Sequence, residues 1–138
     1  MPKNDELLCR AKQKGTDEWV EGYYCKYERT NPDGSVNTTH MIVPYYASAL
    51  YGIEIDPETV GRCTGLADKN GMKIFNGDIV TGFFNHEKII GHIFYGSDAS
   101  YFIQREGLFG VGLNNASDWI EVIGNIHDNP ELIENHGD

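Results

Sequence analysis

Hydrophobic and polar positions alternate in short runs along this chain, and turn residues separate the runs at close spacing. A period of two predicts strands, and the 3.6-residue period of an amphipathic helix is almost absent. Residues 7–12 read as a first strand, and Lys14-Gly15-Thr16-Asp17 as a turn. From 19 to 27 the alternation is clear. Trp19, Glu21, Tyr23, Cys25 and Tyr27 fall on one face; Val20, Gly22, Tyr24 and Lys26 fall on the other. Asn31-Pro32-Asp33-Gly34 has the residue order of a type I turn, which returns the chain as a strand over 38–43. The N-terminal third is expected to be a three-stranded antiparallel meander.

Pro44 ends that strand. Residues 45–51 are ambiguous, with one helical turn expected at Ala47-Ser48-Ala49-Leu50, and Ile53-Glu54-Ile55 is a short strand. Asp56-Pro57 supplies an N-cap and a proline at the first helical position, and Gly61 limits the helix to a single turn. Asp68-Lys69-Asn70-Gly71 reads as a turn, because Asn-Gly tolerates positive φ at both central positions. Asn76-Gly77-Asp78 turns again. Asp68 and Asp78 each have backbone amides within reach, as aspartates in turns do. Gly65, Gly71 and Gly77 are expected to include left-handed positions.

Further strands are expected over 72–75, 79–84, 88–95, 101–105, 108–112 and 119–126, with a tight turn at Glu106-Gly107 and a loop or helical turn at 114–118. Asn129-Pro130-Glu131 begins a short C-terminal helix whose Leu132 and Ile133 dock inward. The fold class is therefore mostly β: an N-terminal meander (1–60), a connecting turn segment (61–71), and an SH3-like β-barrel with a short C-terminal helix (72–138).

Composition agrees with thin β layers. Aromatic residues are 12% of the chain, eight of them Tyr, and 138 residues can bury a core without disulfides. The net charge is −10, of which −3 falls in residues 1–69 and −7 in 70–138. An acidic C-terminal half repels phosphate backbones, whereas the first thirty residues carry six basic and six acidic side chains and leave room for a local basic patch. Cys9, Cys25 and Cys63 are widely spaced and form no CxxC, so a zinc ribbon is not expected. No apolar signal core or membrane-length run occurs, which points to the cytoplasm, reduced thiols and no membrane partner.

A resemblance spans nearly the whole chain. Asp56-Pro57-Glu58-Thr59-Val60-Gly61-Arg62-Cys63-Thr64-Gly65-Leu66, then Asp68-Lys69-Asn70-Gly71 and Ile74-Phe75-Asn76-Gly77-Asp78-Ile79-Val80, resembles the central signature of the YopX family. Glu121-Val122-Ile123-Gly124-Asn125-Ile126 with Asp128-Asn129-Pro130-Glu131-Leu132 resembles its closing motif, and Glu18-Trp19-Val20-Glu21-Gly22-Tyr23-Tyr24 its N-terminal part. The resemblance implies a β-rich fold and a bacteriophage or prophage origin. It carries no established activity and no catalytic residues.

The chemistry-bearing residues do not assemble into a constellation. His86-Glu87 and His92 lack the helical spacing of a metal pair, and as strand residues the two His stand about 20 Å apart. His127-Asp128 are neighbours that a strand would point to opposite faces. Ser97, Ser100 and Ser117 have no nucleophile-elbow context, and Cys63 reads as a buried structural thiol. No catalytic residue, metal site or cofactor is expected, and an enzyme is disfavoured. The aromatic residues hold more interest. Trp19, Tyr23, Tyr24 and Tyr27 are interleaved with Lys26 and Arg29, and these six are the candidate binding residues. They admit three readings: the filling of a thin sheet, a protein interface with a host or phage protein or a second copy, or a stacking platform for single-stranded nucleic acid. A non-enzymatic protein-binding module is the leading expectation. The alternative is a nucleic-acid-associated protein, using that aromatic-basic face or, conversely, the acidic half as a phosphate-mimicking decoy.

Overall fold

The computed structural model describes residues 7–44, 51–96, 99–105 and 110–134. The helical turn expected within 45–50 and the tight turn at Glu106-Gly107 lie outside the described residues. The chain forms two compact units, Met1–Arg62 and Cys63–Asp138. Both are antiparallel and mostly β.

The first unit contains β1 (Cys9–Lys12), β2 (Trp19–Thr30), β3 (Val36–Pro44), β4 (Ile53–Glu54) and the start of β5 (Gly61–Ala67). Their order is β4-β3-β2-β1-β5, so the expected meander of the first three strands is present. The type I turn also forms: the Gly34 N–H donates to the Asn31 carbonyl at 2.9 Å, and Asp33 accepts from the Ser35 N–H at 2.9 Å. Asp56 caps a single 3-10 turn (Pro57–Thr59) by accepting from the Glu58 N–H, as its Asp-Pro start predicts. Thr59 fastens this turn to β1, its hydroxyl accepting from the Lys12 N–H at 2.8 Å. The core of the unit is small: Cys9, Ala11, Ile42 and Ile55, with Val20, Ile53 and Val60 packed around them.

Segment 61–71, expected as a connecting turn, is strand through Ala67. Its first residues pair with β1, and Cys63 and Ala67 pair with β6 (Lys73–Phe75). The glycines that suggested turns allow this. Gly65 has φ 83° and sits at an irregularity in the pairing, so it bends the strand without ending it.

The second unit continues with β7 (Asp78–Phe84), β8 (Glu87–Tyr95), β9 (Tyr101–Gln104), β10 (Val111–Gly112), a 3-10 turn (Leu113–Asn115), β11 (Ile120–Asn125) and the short helix α1 (Glu131–Glu134). The sheet order is β10-β9-β8-β7-β11. β10 and β11 stand at its two ends, and no pairing that would close the sheet into a barrel occurs among the described residues. The core is continuous: Ile74, Val80, Ile93, Ile103, Leu113, Ala116 and Ile120, flanked by Leu66, Tyr101, Val111, Trp119 and Val122. Trp119 lies across Gly82, and a Cβ on that glycine would come within 2.7 Å of the indole. Glycine there is a packing requirement.

Candidate interaction surface

Strand pairing decides where the six candidate residues point. β1 pairs with β2 so that Arg10 opposes Glu21 and Lys12 opposes Trp19. β2 pairs with β3 so that Tyr23 opposes Val43, Cys25 opposes Met41 and Tyr27 opposes Thr39. Side chains alternate across a strand. Trp19, Tyr23, Tyr27 and Arg29 therefore share one face with Arg10 and Lys12. Tyr24 and Lys26 point to the opposite face, the one that carries Ala11 and Ile42 of the core. The structure brings four of the six together and separates the other two.

The first group forms a graded patch. Arg10 lies over the Trp19 ring at 4.9 Å, and the Lys12 ammonium lies over the same ring at 5.6 Å. Such cation–ring contacts are worth about 0.5–1 kcal/mol where exposed. Further along β2, Tyr23 is 40% and Tyr27 57% exposed. The three rings recur every four residues, about 13 Å apart at strand rise. Arg10 escapes a reading of β2 alone. The turn at 14–17 folds β1 back on β2 and so sets Arg10 beside Trp19, a signal that the register carries.

The second group is held locally. Tyr24 stacks on His40 with ring centroids 5.9 Å apart, and its hydroxyl hydrogen-bonds the His40 Nδ1. Lys26 pairs with Glu28 at 3.6 Å. All three cysteines are free, and Cys9 and Cys63 are buried. Burial pushes the Cys9 thiol up, against the opposing pull of the Arg62 charge and the Tyr24 N–H, so it is a poor thiolate.

The aspartates serve the backbone. Asp68 accepts from the N–H groups of Asn70, Met72 and Val122, each at 2.9 Å. Burial raises its carboxyl, but these three donors and the Lys69 charge outweigh that and hold it below the ordinary carboxylate range. The Asp68–Gly71 turn differs from the expected form in one respect. Only Gly71 is left-handed, with φ 84°, and Lys69-Asn70 are its central pair, because the Gly71 N–H closes onto the Asp68 carbonyl. Asp78 is buried and accepts from the Phe75 N–H at 2.8 Å. Gly65, Gly71 and Gly77 all have positive φ, as expected.

A depression in the second unit is lined by Leu66, Ser100, Tyr101, Leu113 and Asn114, a set without carboxylate, thiol, imidazole or amine. His92 sits in β8 opposite Ile79, and burial lowers its basicity. Among the described residues no cluster of three or more His, Cys, Asp or Glu is placed to hold a metal ion, and no helix is long and apolar enough to cross a membrane.

Two antiparallel units with turn-bound aspartates and an aromatic outward face define a small, mostly β protein. The chain belongs to the YopX family, whose sequence profile matches residues 8–134. It is also similar to protein EF1440 from Enterococcus faecalis, known from a crystal structure. The identity is 24%, the match covers 93% of this chain and 99% of that one, and the TM-score is 0.52. At that identity the likeness concerns the fold. A comparison with curated proteins gives no match.

Proposed function

We infer that this protein is a non-enzymatic accessory module of a phage or prophage, acting in the bacterial cytoplasm by binding another protein through the outward face of its first sheet. The observation that carries this reading is the row Trp19, Tyr23 and Tyr27 with Arg10 and Lys12 above the indole. Tyr, Trp and Arg are the residue types that dominate protein interfaces, because they combine large apolar area with few lost rotamers and a polar tip. The basic groups favour a partner with an acidic rim. The second unit is read as an SH3-like barrel that serves as a scaffold, an assignment by strand succession alone.

Single-stranded nucleic acid is the competing ligand for the same face, since stacked rings and cations suit it equally. Glu21 within the face and the net charge of −10 weigh against it. Within the acidic half, Asp78 is buried and bonded to the Phe75 N–H, which withdraws it from a decoy surface. The test is capture of partners from host lysate by the wild-type chain and by a Trp19→Ala/Tyr23→Ala variant, each with and without nuclease. A protein partner that survives nuclease and is lost with the variant supports the interface. Recovery that nuclease abolishes moves the face to nucleic acid. Equal capture by both chains removes the face from consideration.

A further inference from the structure

The β2–β3 hairpin extends well beyond its neighbours. β1 accompanies β2 only from Trp19 to Gly22, and among the described residues no strand pairs with that side of β2 from Tyr23 to Thr30. Residues Tyr23–Thr30 are exposed throughout.

The phase of the hydrogen bonding is fixed by the turn. The Asn31 N–H donates to the Ser35 carbonyl at 2.8 Å, and the strand register keeps that parity, so Arg29, Tyr27, Cys25 and Tyr23 bond to β3. The backbone groups of Tyr24, Lys26, Glu28 and Thr30 therefore point to the open side. The Tyr24 N–H on that side is engaged by Cys9. An edge of this length that no described strand covers is a template for strand addition.

We propose that this edge pairs with the same edge of a second copy, antiparallel about a two-fold axis through Tyr27. The edge sequence selects that partner and that register. With Tyr27 opposite Tyr27, Lys26 of each copy faces Glu28 of the other in a hydrogen-bonded pair, Cys25 faces Arg29, and Thr30 reaches the Tyr24 carbonyl. The groups that meet are the ones pointing outward. Shifting the axis to Lys26 or Glu28 sets like charges opposite each other. Shifting it to Cys25 runs Glu28 into Gly22, whose edge β1 already occupies. Opposite charges directly across a strand pair stabilise it, and like charges destabilise it. The pairing is isologous and closed, so it ends at a dimer. It uses the edge of β2 and does not depend on the outward face carrying a partner.

The test is sedimentation equilibrium of the full chain over a range of concentrations, for wild type, Lys26→Glu and Glu28→Lys. The wild type is expected to form a dimer. Each reversal sets like charges across the axis at two symmetric places and is expected to weaken the dimer roughly 30-fold. An equimolar mixture of the two variants restores opposite charges and is expected to associate as tightly as wild type, a recovery that the Lys26–Glu28 contact within one chain cannot produce. A second measurement fixes the register. In a Cys25→Ser/Tyr27→Cys chain the two new thiols face each other at about 4.5 Å between Cα atoms, within disulfide reach, and oxidation is expected to give a covalent dimer. A wild type that stays monomeric, a mixture that associates no better than its components, or a dimer that fails to cross-link at position 27 would each overturn the proposal.

Discussion

β2 and β8 are both long antiparallel strands with alternating sequences, yet they live in different surroundings. β8 is sandwiched between β7 and β9, and its alternate residues Ile89, Gly91 and Ile93 are buried. Among the described residues β2 has neighbours on both sides only at its start, and beyond Gly22 the residues of both its faces are exposed. Alternation thus identifies a strand without saying how deeply it is buried. Depth comes from what the rest of the chain lays against it.

The edges differ in the same way. β11 ends its sheet, but the Asp68–Gly71 turn covers it: the Lys69 N–H donates to the Ile120 carbonyl at 3.0 Å and Asp68 takes the Val122 N–H. β11 also carries a register shift between Val122 and Gly124, a further protection against strand addition. Among the described residues the distal edge of β2 has no such cover.

The largest contrast is expected from truncating one residue in each region. Ile93→Ala removes a fully buried side chain from the second core and should cost about 2–5 kcal/mol, seen as a lower urea midpoint. Asp68→Ala should come next, at about 2–3 kcal/mol, because it strands three backbone donors. Its wild-type carboxyl is depressed by folding. The stability it supplies is present above the ordinary aspartate range, about 3.9, and is lost as pH falls through the lower folded value. Acid titration of stability in the variant should therefore be flatter at low pH.

A gain of about 1 kcal/mol is expected from His86→Gly. Asn85 and His86 form the two-residue turn between β7 and β8 with φ 51° and 67°, a type I′ geometry that Asn-Gly fits without strain. Thermal denaturation checks it. His92→Gln should remove a smaller, pH-dependent loss. Burial disfavours the imidazolium, so stability is complete above the ordinary histidine range near 6.5 and declines as pH falls below it. The smallest effect belongs to the open ribbon: Tyr23→Ala should change stability by no more than about 0.5 kcal/mol.

Much of this was readable from local chemistry. Asp33, Asp56 and Asp78 do what turn and cap aspartates do, and the positive φ of Gly65, Gly71 and Gly77 suits residues that lack a Cβ. What the local pattern missed depends on residues far apart. Val122 lies 54 positions from Asp68, so no window of sequence shows their hydrogen bond. The strand through Gly61–Ala67 was hidden because its glycines look like turn residues until β1 and β6 pair with it. The division of the candidate residues was legible from their parity, but the exposure of both groups was not. It depends on where β1 stops.

The span between Asp68 and Val122 also sets an order of events during synthesis. At about 5–20 residues per second, the 54 positions that separate them take about 3 to 11 s to translate. The pairings that β1, β2, β3 and β4 make with one another, by contrast, join residues already present by Asp56. The aromatic hairpin is therefore complete and exposed on the nascent chain while Asp68 still waits for its third donor. Nascent copies on neighbouring ribosomes would meet first through the edge that no described strand covers.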